Sequence, residues 1–167
     1  MTTRAANASA QALARQTEFV HQVLGVNTSG VSHEESLAQP SPGGNCLNWV
    51  VGHIVASRNQ TLALLGKEPV WSEETAKRYL RGTGPIEGDA EGVVRFEKTL
   101  EAFEASQQPI LDGLAEISDA ELETMVPWLE SEVPKSVALA GLVFHESYHL
   151  GQTGLLRRIL GKEGAIR

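Results

Sequence analysis

Apolar residues recur at steps of three and four along four segments of the chain, the spacing that places them on one face of an α-helix. The clearest repeat runs through Phe96, Leu100 and Phe103. The predicted helices span about Ala5 to Leu24, Cys46 to Leu65, Val93 to Ile117, and Ser136 to about Leu160. Since no convincing strand lies between them, the sequence predicts an all-α four-helix bundle with long connectors.

Capping signals predict where these helices begin and end. Asn45 and Ser136 are placed to cap the second and fourth helices, and Gly25 and Gly66 are expected to end the first and second. Pro109 should kink the third helix because proline removes one backbone donor.

The connectors are longer than most helix-to-helix loops. The segment 67–92 either crosses the length of the bundle or forms a flap over a site, and the sequence leaves both open. In the first connector, Ser32 and Glu35 have capping-box spacing, and His33 inside that turn is expected to be solvent-exposed. Thr124 to Lys135 is expected to be extended or looped, because it carries two prolines.

Length, cysteine content and charge narrow the class of protein. The 167 residues fit one domain over residues 1–167. Because the N-terminus lacks the apolar core of a signal peptide and Cys46 is the one cysteine, we expect a reducing, cytoplasmic setting. The longest apolar run, Val137 to Phe144, is too short to cross a membrane. The net charge of -7 disfavours binding to nucleic acid.

Three histidines are candidate metal ligands. His145 and His149 lie four residues apart on the apolar face of the fourth predicted helix, and His53 lies beside an apolar stripe of the second. Gly52 removes a side chain next to His53, so another backbone can approach closely there. A buried imidazole needs a hydrogen bond or a metal ion. Three histidines with one open position are typical of a catalytic rather than a structural metal site.

Two further residues of the fourth helix are candidate catalytic residues. Gln152 lies one turn beyond His149 on the same face, where it can hold a metal-bound water or orient a histidine. Glu146 projects about 100° round the helix from His145. It is expected either to point into the neighbouring helix and brace a histidine, or to act as a base.

The pattern His-Glu-x-x-His from His145 to His149 is also that of zinc metalloproteases. The extension found in metzincins is missing, because Gln152 and Leu155 stand where those enzymes have Gly and His. No sheet is predicted that would bind an extended peptide. A hydrolase of this type is therefore a minor alternative.

Other polar residues are weaker candidates for a site. His21 is interpreted as an ordinary helix residue, Cys46 as a buried inert thiol, and Tyr148 as a residue packed at a helix interface. Gln107 is the one polar residue on the seam of the third helix. It either lines a central pocket or, the interpretation we prefer, hydrogen-bonds to the backbone freed by Pro109.

Two short motifs stand out in the second and fourth predicted helices. They are Asn45-x-x-Asn48-Trp49-x-x-Gly52-His53 and His145-Glu146-x-Tyr148-His149-x-Gly151-Gln152. In this order, and over nearly the whole chain, they resemble the DinB-like superfamily of bacterial four-helix bundles, which is related to the N-terminal domain of mycothiol-dependent maleylpyruvate isomerase. The resemblance implies that His53, His145 and His149 bind a divalent metal, usually zinc or nickel, and that the chain forms a homodimer.

The resemblance also implies a class of chemistry. Members of the superfamily include transferases and isomerases that use a low-molecular-weight thiol, and a divalent ion lowers the pKa of a bound thiol or water. We therefore expect a metal-dependent enzyme acting on a small electrophilic substrate, with a thiol cofactor or with water. The alternative is a non-enzymatic metal-bearing bundle that binds a ligand or partner.

Overall fold

Four long helices form the bundle that the apolar repeats predict. The computed structural model describes residues 7–164, so the predicted start of the first helix at Ala5 lies outside the described residues. The long helices are α1 (Ala8–Thr28), α3 (Leu47–Leu64), α5 (Phe96–Glu116) and α7 (Lys135–Ile159). Three short helices, α2 (His33–Ser36), α4 (Glu73–Lys77) and α6 (Asp119–Leu122), and two strands, β1 (Met125–Trp128) and β2 (Ser131–Pro134), lie in the connectors.

Each long helix packs against two others, in the cyclic order α1, α5, α3, α7. The buried apolar side chains form two clusters, one toward each end of the bundle. One cluster includes Leu24, Leu47, Phe96 and Leu156, and the other includes Ala10, Leu62, Ile110 and Leu139. Helices α1 and α7 therefore run in one direction and α3 and α5 in the opposite direction.

This arrangement explains the long connector between α3 and α5. Because the two helices are parallel, the chain must return along the whole bundle before α5 begins at Phe96. The connector is therefore a crossover, and it is anchored in the core by the buried side chains of Trp71, Tyr79 and Ile86.

Several helix ends differ from their predictions. α1 continues through Gly25 to Thr28, and Gly30, with φ 68°, adopts the left-handed conformation instead. Cys46 rather than Asn45 is the N-cap of α3. α7 begins at Lys135 directly after a strand, so Ser136 lies inside the helix. The capping box of Ser32 and Glu35 and the end of α3 before Gly66 are confirmed.

A short antiparallel hairpin of β1 and β2 was not predicted. The segment is extended as expected, but its turn contains Leu129 at φ 53° rather than a glycine or asparagine. The hairpin lies on α7, where a Cβ added to Gly141 would come within 2.6 Å of the Trp128 ring. Because Gly141 has no side chain, the Trp128 indole can pack directly against the backbone of α7.

His33 is buried, with 1 % of its surface exposed, so its predicted exposure was wrong. Its Nδ1 atom accepts a hydrogen bond from the backbone N–H of Phe96, at 3.1 Å. The first N–H groups of a helix have no partner inside the helix, and His33 supplies one for α5 from the preceding connector.

None of the described helices is long and apolar enough to cross a membrane.

Candidate metal centre

His53 of α3 and His145 and His149 of α7 converge in the structure. The Nε2 atom of His145 lies 3.1 Å from Nε2 of His53 and 3.1 Å from Nε2 of His149. Within residues 7–164 these three form the one group of His, Cys, Asp or Glu side chains close enough to share a metal ion. The structure thus brings together all three predicted ligands.

The positions of the histidines follow from the two helices. His145 and His149 are one turn apart on α7, so their rings lie side by side, with centroids 4.5 Å apart. His53 reaches them from α3, which packs directly against α7. Their rings meet that of His53 edge to face, at centroid distances of 4.9 and 4.7 Å.

The other ring nitrogen of each histidine has an acceptor within reach. His53 Nδ1 lies 2.6 Å from the backbone oxygen of Tyr79, His149 Nδ1 lies 2.8 Å from Oε1 of Gln152, and His145 Nδ1 lies 3.3 Å from Oγ of Ser57. An Nδ1–H donated to these oxygens leaves the Nε2 lone pairs free. Such partners fix the tautomer and the ring orientation of metal-binding histidines.

The crossover connector supplies the acceptor for His53, through Tyr79. Gly52 makes this possible, since a Cβ there would come within 2.1 Å of the Tyr79 ring. The close approach predicted at Gly52 is confirmed, although the neighbour is an aromatic ring rather than a backbone. The Tyr79 hydroxyl donates to Asn48 Oδ1 at 3.1 Å and accepts from the Val94 N–H at 2.8 Å. The acceptor of His53 is therefore held rigidly.

Trp49 covers one side of the centre. Its ring stacks on His53, with centroids 4.7 Å apart and an angle of 12° between the planes. Its Nε1–H donates to the hydroxyl of Thr83 in the connector, at 3.2 Å. The indole restricts both the motion of His53 and the access of water to it.

The surroundings keep the three imidazoles neutral. Burial lowers the pKa of His53 and of His149 below the ordinary histidine value. Burial, together with repulsion from His149 and His53, lowers the pKa of His145 to about 4. Neutral imidazole is the form that binds a metal, so the ligands need not lose a proton at neutral pH.

This set of donors fits a divalent ion such as zinc. Three convergent Nε2 atoms, each on a ring whose Nδ1 lies within hydrogen-bond distance of an oxygen, match a three-histidine site with one further position for water or substrate. The ion itself would be held by His53, His145 and His149.

The two candidate catalytic residues lie in different environments. Gln152 is beside the centre, where its amide oxygen orients His149. Glu146 is buried on another side of α7, and its Oε1 accepts a hydrogen bond from Arg58 Nε at 2.7 Å. It does point into the neighbouring helix α3, but its partner there is an arginine and not a histidine.

The weaker candidates lie outside the centre. Cys46 is fully buried, and burial raises the pKa of its thiol, which makes it an inert thiol as expected. His21 pairs with Glu104 at 2.7 Å. Tyr148 is 62 % exposed, so it does not pack between helices of the described chain, although its ring edge meets His149. Gln107 is buried, and its Oε1 has no hydrogen-bond partner among residues 7–164.

Sequence reasoning missed Ser57, Arg58 and the backbone of Tyr79. Ser57 follows His53 by one helical turn, and that spacing alone could have placed it on the face of the centre. Arg58 interrupts a helix that is apolar on nearly every side, which is a signal for a buried charge. The role of the Tyr79 carbonyl had no signal, because a backbone group carries no residue type.

Comparison with known proteins identifies the family and agrees with the fold. The sequence model described as the DinB superfamily matches residues 7–153. A crystal structure of a conserved protein from Enterococcus faecalis is similar with a TM-score of 0.70 and 18% identity, over 91% of this chain and 97% of that one. A DinB-like protein from Bacillus cereus is similar with a TM-score of 0.63 and 21% identity, over 92% of this chain and 91% of that one. No curated protein matches. At these identities the structural likeness shows the fold alone.

Proposed function

Because the chain belongs to the DinB superfamily, and because its three histidines converge, we propose that it is a metal-dependent enzyme. The divalent ion, zinc or nickel, is held by Nε2 of His53, His145 and His149. The reaction is the transfer of a low-molecular-weight thiol to a small electrophilic substrate, or an isomerisation that uses such a thiol. With water in place of the thiol, the same site would hydrolyse its substrate.

The observation that carries this proposal is the state of the histidine rings. Each Nδ1 has an oxygen within reach, from Tyr79, Gln152 or Ser57, and His145 Nε2 lies 3.1 Å from Nε2 of each of the other two histidines. Histidines that served only to fill a core would not need three lone pairs directed at one point. Unpaired, these lone pairs repel one another, and a cation between them removes the repulsion.

The chain orients the three histidine rings and keeps them neutral. A divalent ion in such a site supplies a lowered pKa for a thiol or water at its open position. We assign Gln152 the role of holding the His149 ring through its amide oxygen, with its amide NH2 available to a substrate. We assign Glu146 a structural role, because its carboxylate is engaged by Arg58. This placement also weakens the metalloprotease interpretation, in which that glutamate must act as the base.

Elemental analysis of purified, untagged protein tests the metal. We expect about one equivalent of divalent metal per chain in wild type and a loss of most of it in His53→Ala. His21→Ala is the matched control, because His21 bonds Glu104 and lies outside the centre. Wild type that stays free of metal after reconstitution, or equal metal in both variants, would contradict the proposal.

A thiol screen tests the reaction. Metal-loaded protein is incubated with bacillithiol, mycothiol or glutathione and a chromogenic aryl halide, and thioether formation is followed. Turnover by wild type with one thiol, and none by His149→Ala, supports a transferase. The second candidate function is a non-enzymatic bundle that binds a ligand. It is favoured because the partners of the histidines within residues 7–164, which are the Tyr79 carbonyl, Ser57 and Gln152, include no base. It predicts metal without turnover for every thiol.

We also propose that the chain pairs with a second copy through the outer faces of α1 and α7. Phe19, Phe144, Tyr148 and Leu155 are 62 to 73 % exposed there. Phe19 and Phe144 line one groove between the two helices, and contiguous exposed apolar surface marks an interaction site. Sedimentation equilibrium should give a dimer for wild type and a monomer for Phe144→Glu. A wild type that stays monomeric at a concentration on the order of 100 μM would contradict the pairing.

The compartment that we propose is the reducing cytoplasm, where a thiol cofactor stays reduced. Fractionation of the source cells with an antibody to the protein would test this. Recovery with the membrane or secreted fraction would contradict it.

A further inference from the structure

A layer of buried polar side chains lies between the two apolar clusters of the core. Every long helix contributes to it. Its members, all 8 % exposed or less, are Thr17, Arg58, Ser106, Gln107 and Glu146. Along each helix these residues fall between members of the two apolar clusters, so the layer crosses the middle of the bundle.

Arg58 is the centre of this layer. Its Nε donates to Glu146 Oε1 at 2.7 Å, and its Nη1 donates to the backbone oxygen of Phe103 at 3.2 Å and to Ser106 Oγ at 3.0 Å. Its guanidinium carbon lies 3.7 Å from the centre of the Phe103 ring. One side chain of α3 therefore makes directional contacts with both α5 and α7.

The charged pair is next to the metal centre in both helices. Ser57 and Arg58 are consecutive in α3, and they contact His145 and Glu146, which are consecutive in α7. The contact between His53 and His145 lies one turn earlier in α3, on the N-terminal side of Ser57. The same relative position of α3 and α7 thus satisfies the ion pair and the three-histidine cluster.

Metal binding is sensitive to that position. One residue of rise in a helix is about 1.5 Å, whereas metal–ligand distances hold within about 0.2 Å. A small slide of α3 along α7 would therefore separate His53 from the other two ligands. Apolar contacts are not directional, so they set no single donor–acceptor geometry against such a slide. An ion pair with a fixed donor geometry resists it strongly, because a displacement leaves charges buried and unpaired.

We propose that Arg58 and Glu146 are positioning residues for the metal centre, and that their ion pair fixes α3 against α7 in the register that brings His53 to His145 and His149. The inference rests on the proposed metal site. It assigns the buried carboxylate to the geometry of the site rather than to proton transfer.

The test replaces both charges at once. Arg58→Met with Glu146→Leu removes one positive and one negative charge, keeps the net charge of the bundle, and fills the space with apolar groups. We expect the metal-free double variant to stay helical and to unfold cooperatively. We expect its zinc affinity, measured by competition with a chromophoric chelator, to fall about 10 to 100-fold. The visible spectrum of the cobalt-loaded protein should also change, because it reports ligand geometry.

The matched control is a second pair of the same kind on the surface. Lys67, which follows the end of α3, forms an ion pair at 2.7 Å with Glu116 at the end of α5. This pair is remote from the histidines. Lys67→Met with Glu116→Leu should leave zinc affinity and the cobalt spectrum unchanged. A change equal to that of the buried double variant would overturn the inference, since it would show a general effect of charge.

Glu146→Asp keeps both charges and shortens the side chain by one methylene. It should weaken zinc binding as well, because the helices must shift to keep the pair. A folded Arg58→Met, Glu146→Leu variant with wild-type affinity and spectrum would overturn the positioning role while leaving the metal site intact. If the double variant does not fold, an unchanged affinity in Glu146→Asp has the same consequence. Wild type that binds no zinc contradicts the proposed function itself.

Discussion

Gly52→Ala should separate the role of the crossover connector from that of the helices. A Cβ at Gly52 would lie 2.1 to 2.8 Å from three atoms of the Tyr79 ring, so the ring must leave its place. Tyr79 is fully buried, and its backbone oxygen bonds His53. The substitution therefore perturbs the fold and the orientation of one proposed ligand together.

The expected loss of stability follows from three terms. Overpacking costs about 1 to 3 kcal/mol, and the two hydrogen bonds of the Tyr79 hydroxyl contribute about 1 kcal/mol each. Alanine in a helix interior returns about 1 kcal/mol relative to glycine. The net expectation is a loss of about 2 to 4 kcal/mol, which lowers Tm by roughly 5 to 15 °C for a chain of this length.

Urea unfolding followed by circular dichroism measures this loss, and chelator competition measures zinc affinity in the same samples. Gly25→Ala is the matched control, since Gly25 is also helical but no atom lies within 4 Å of an added Cβ. It should stabilise the protein by about 1 kcal/mol. If Gly52→Ala were as stable as Gly25→Ala and bound zinc equally well, the Tyr79 contact would have neither the packing nor the orienting role described above.

Three further predictions follow from the buried ionisable groups. His145 has a pKa of about 4 in the folded chain and about 6.5 when unfolded, so the unfolded state takes up the proton first as pH falls. Metal-free protein should therefore lose about 1 to 2 kcal/mol of stability between pH 6.5 and pH 5. Urea unfolding of His145→Gln should show a weaker pH dependence. Arg58→Met alone should cost about 3 to 5 kcal/mol because it leaves Glu146 buried and unpaired, whereas the double replacement with Glu146→Leu should be within about 2 kcal/mol of wild type; equal losses in urea unfolding would refute this. Cys46 should react with a thiol-specific chromogenic reagent only in urea, since burial raises its pKa; rapid reaction of the native protein would show that it is accessible.

The pH dependence of metal binding differs from what the histidines alone would suggest. For an ordinary histidine, with a pKa near 6.5, protons compete with the metal for the ring nitrogen below about pH 6. Burial lowers the pKa of all three ligands, so proton competition begins at lower pH. Zinc affinity should therefore be nearly constant from about pH 8 to about pH 6 and should fall only below that range. A loss of affinity that begins above pH 7 would show that the ligands are not these buried imidazoles.

The bundle and the three histidines could be predicted from sequence because both depend on periodicity. His145 and His149 share a face by spacing alone, and His53 lies on a helix whose apolar stripe must face the core. The match of each position to a known motif then identified the family. These are local signals, and the fold of a helical bundle preserves them.

The features that were missed depend on contacts between distant parts of the chain. The burial of His33 results from the start of α5, whose first N–H it accepts across 63 positions. The hairpin of β1 and β2 has no glycine turn, and its place is set by the fit of Trp128 to Gly141. Gly25 does not end α1, because it does not adopt the positive φ that the common glycine C-cap requires.

X-ray absorption spectroscopy of the zinc-loaded protein tests the central claim most directly, because it counts the ligands. Three imidazole nitrogens at about 2.0 to 2.1 Å, with one further oxygen or sulfur, are expected for Nε2 of His53, His145 and His149. One imidazole should disappear in His53→Ala. A zinc environment dominated by oxygen, or an unchanged imidazole count in that variant, would place the metal elsewhere and contradict the account.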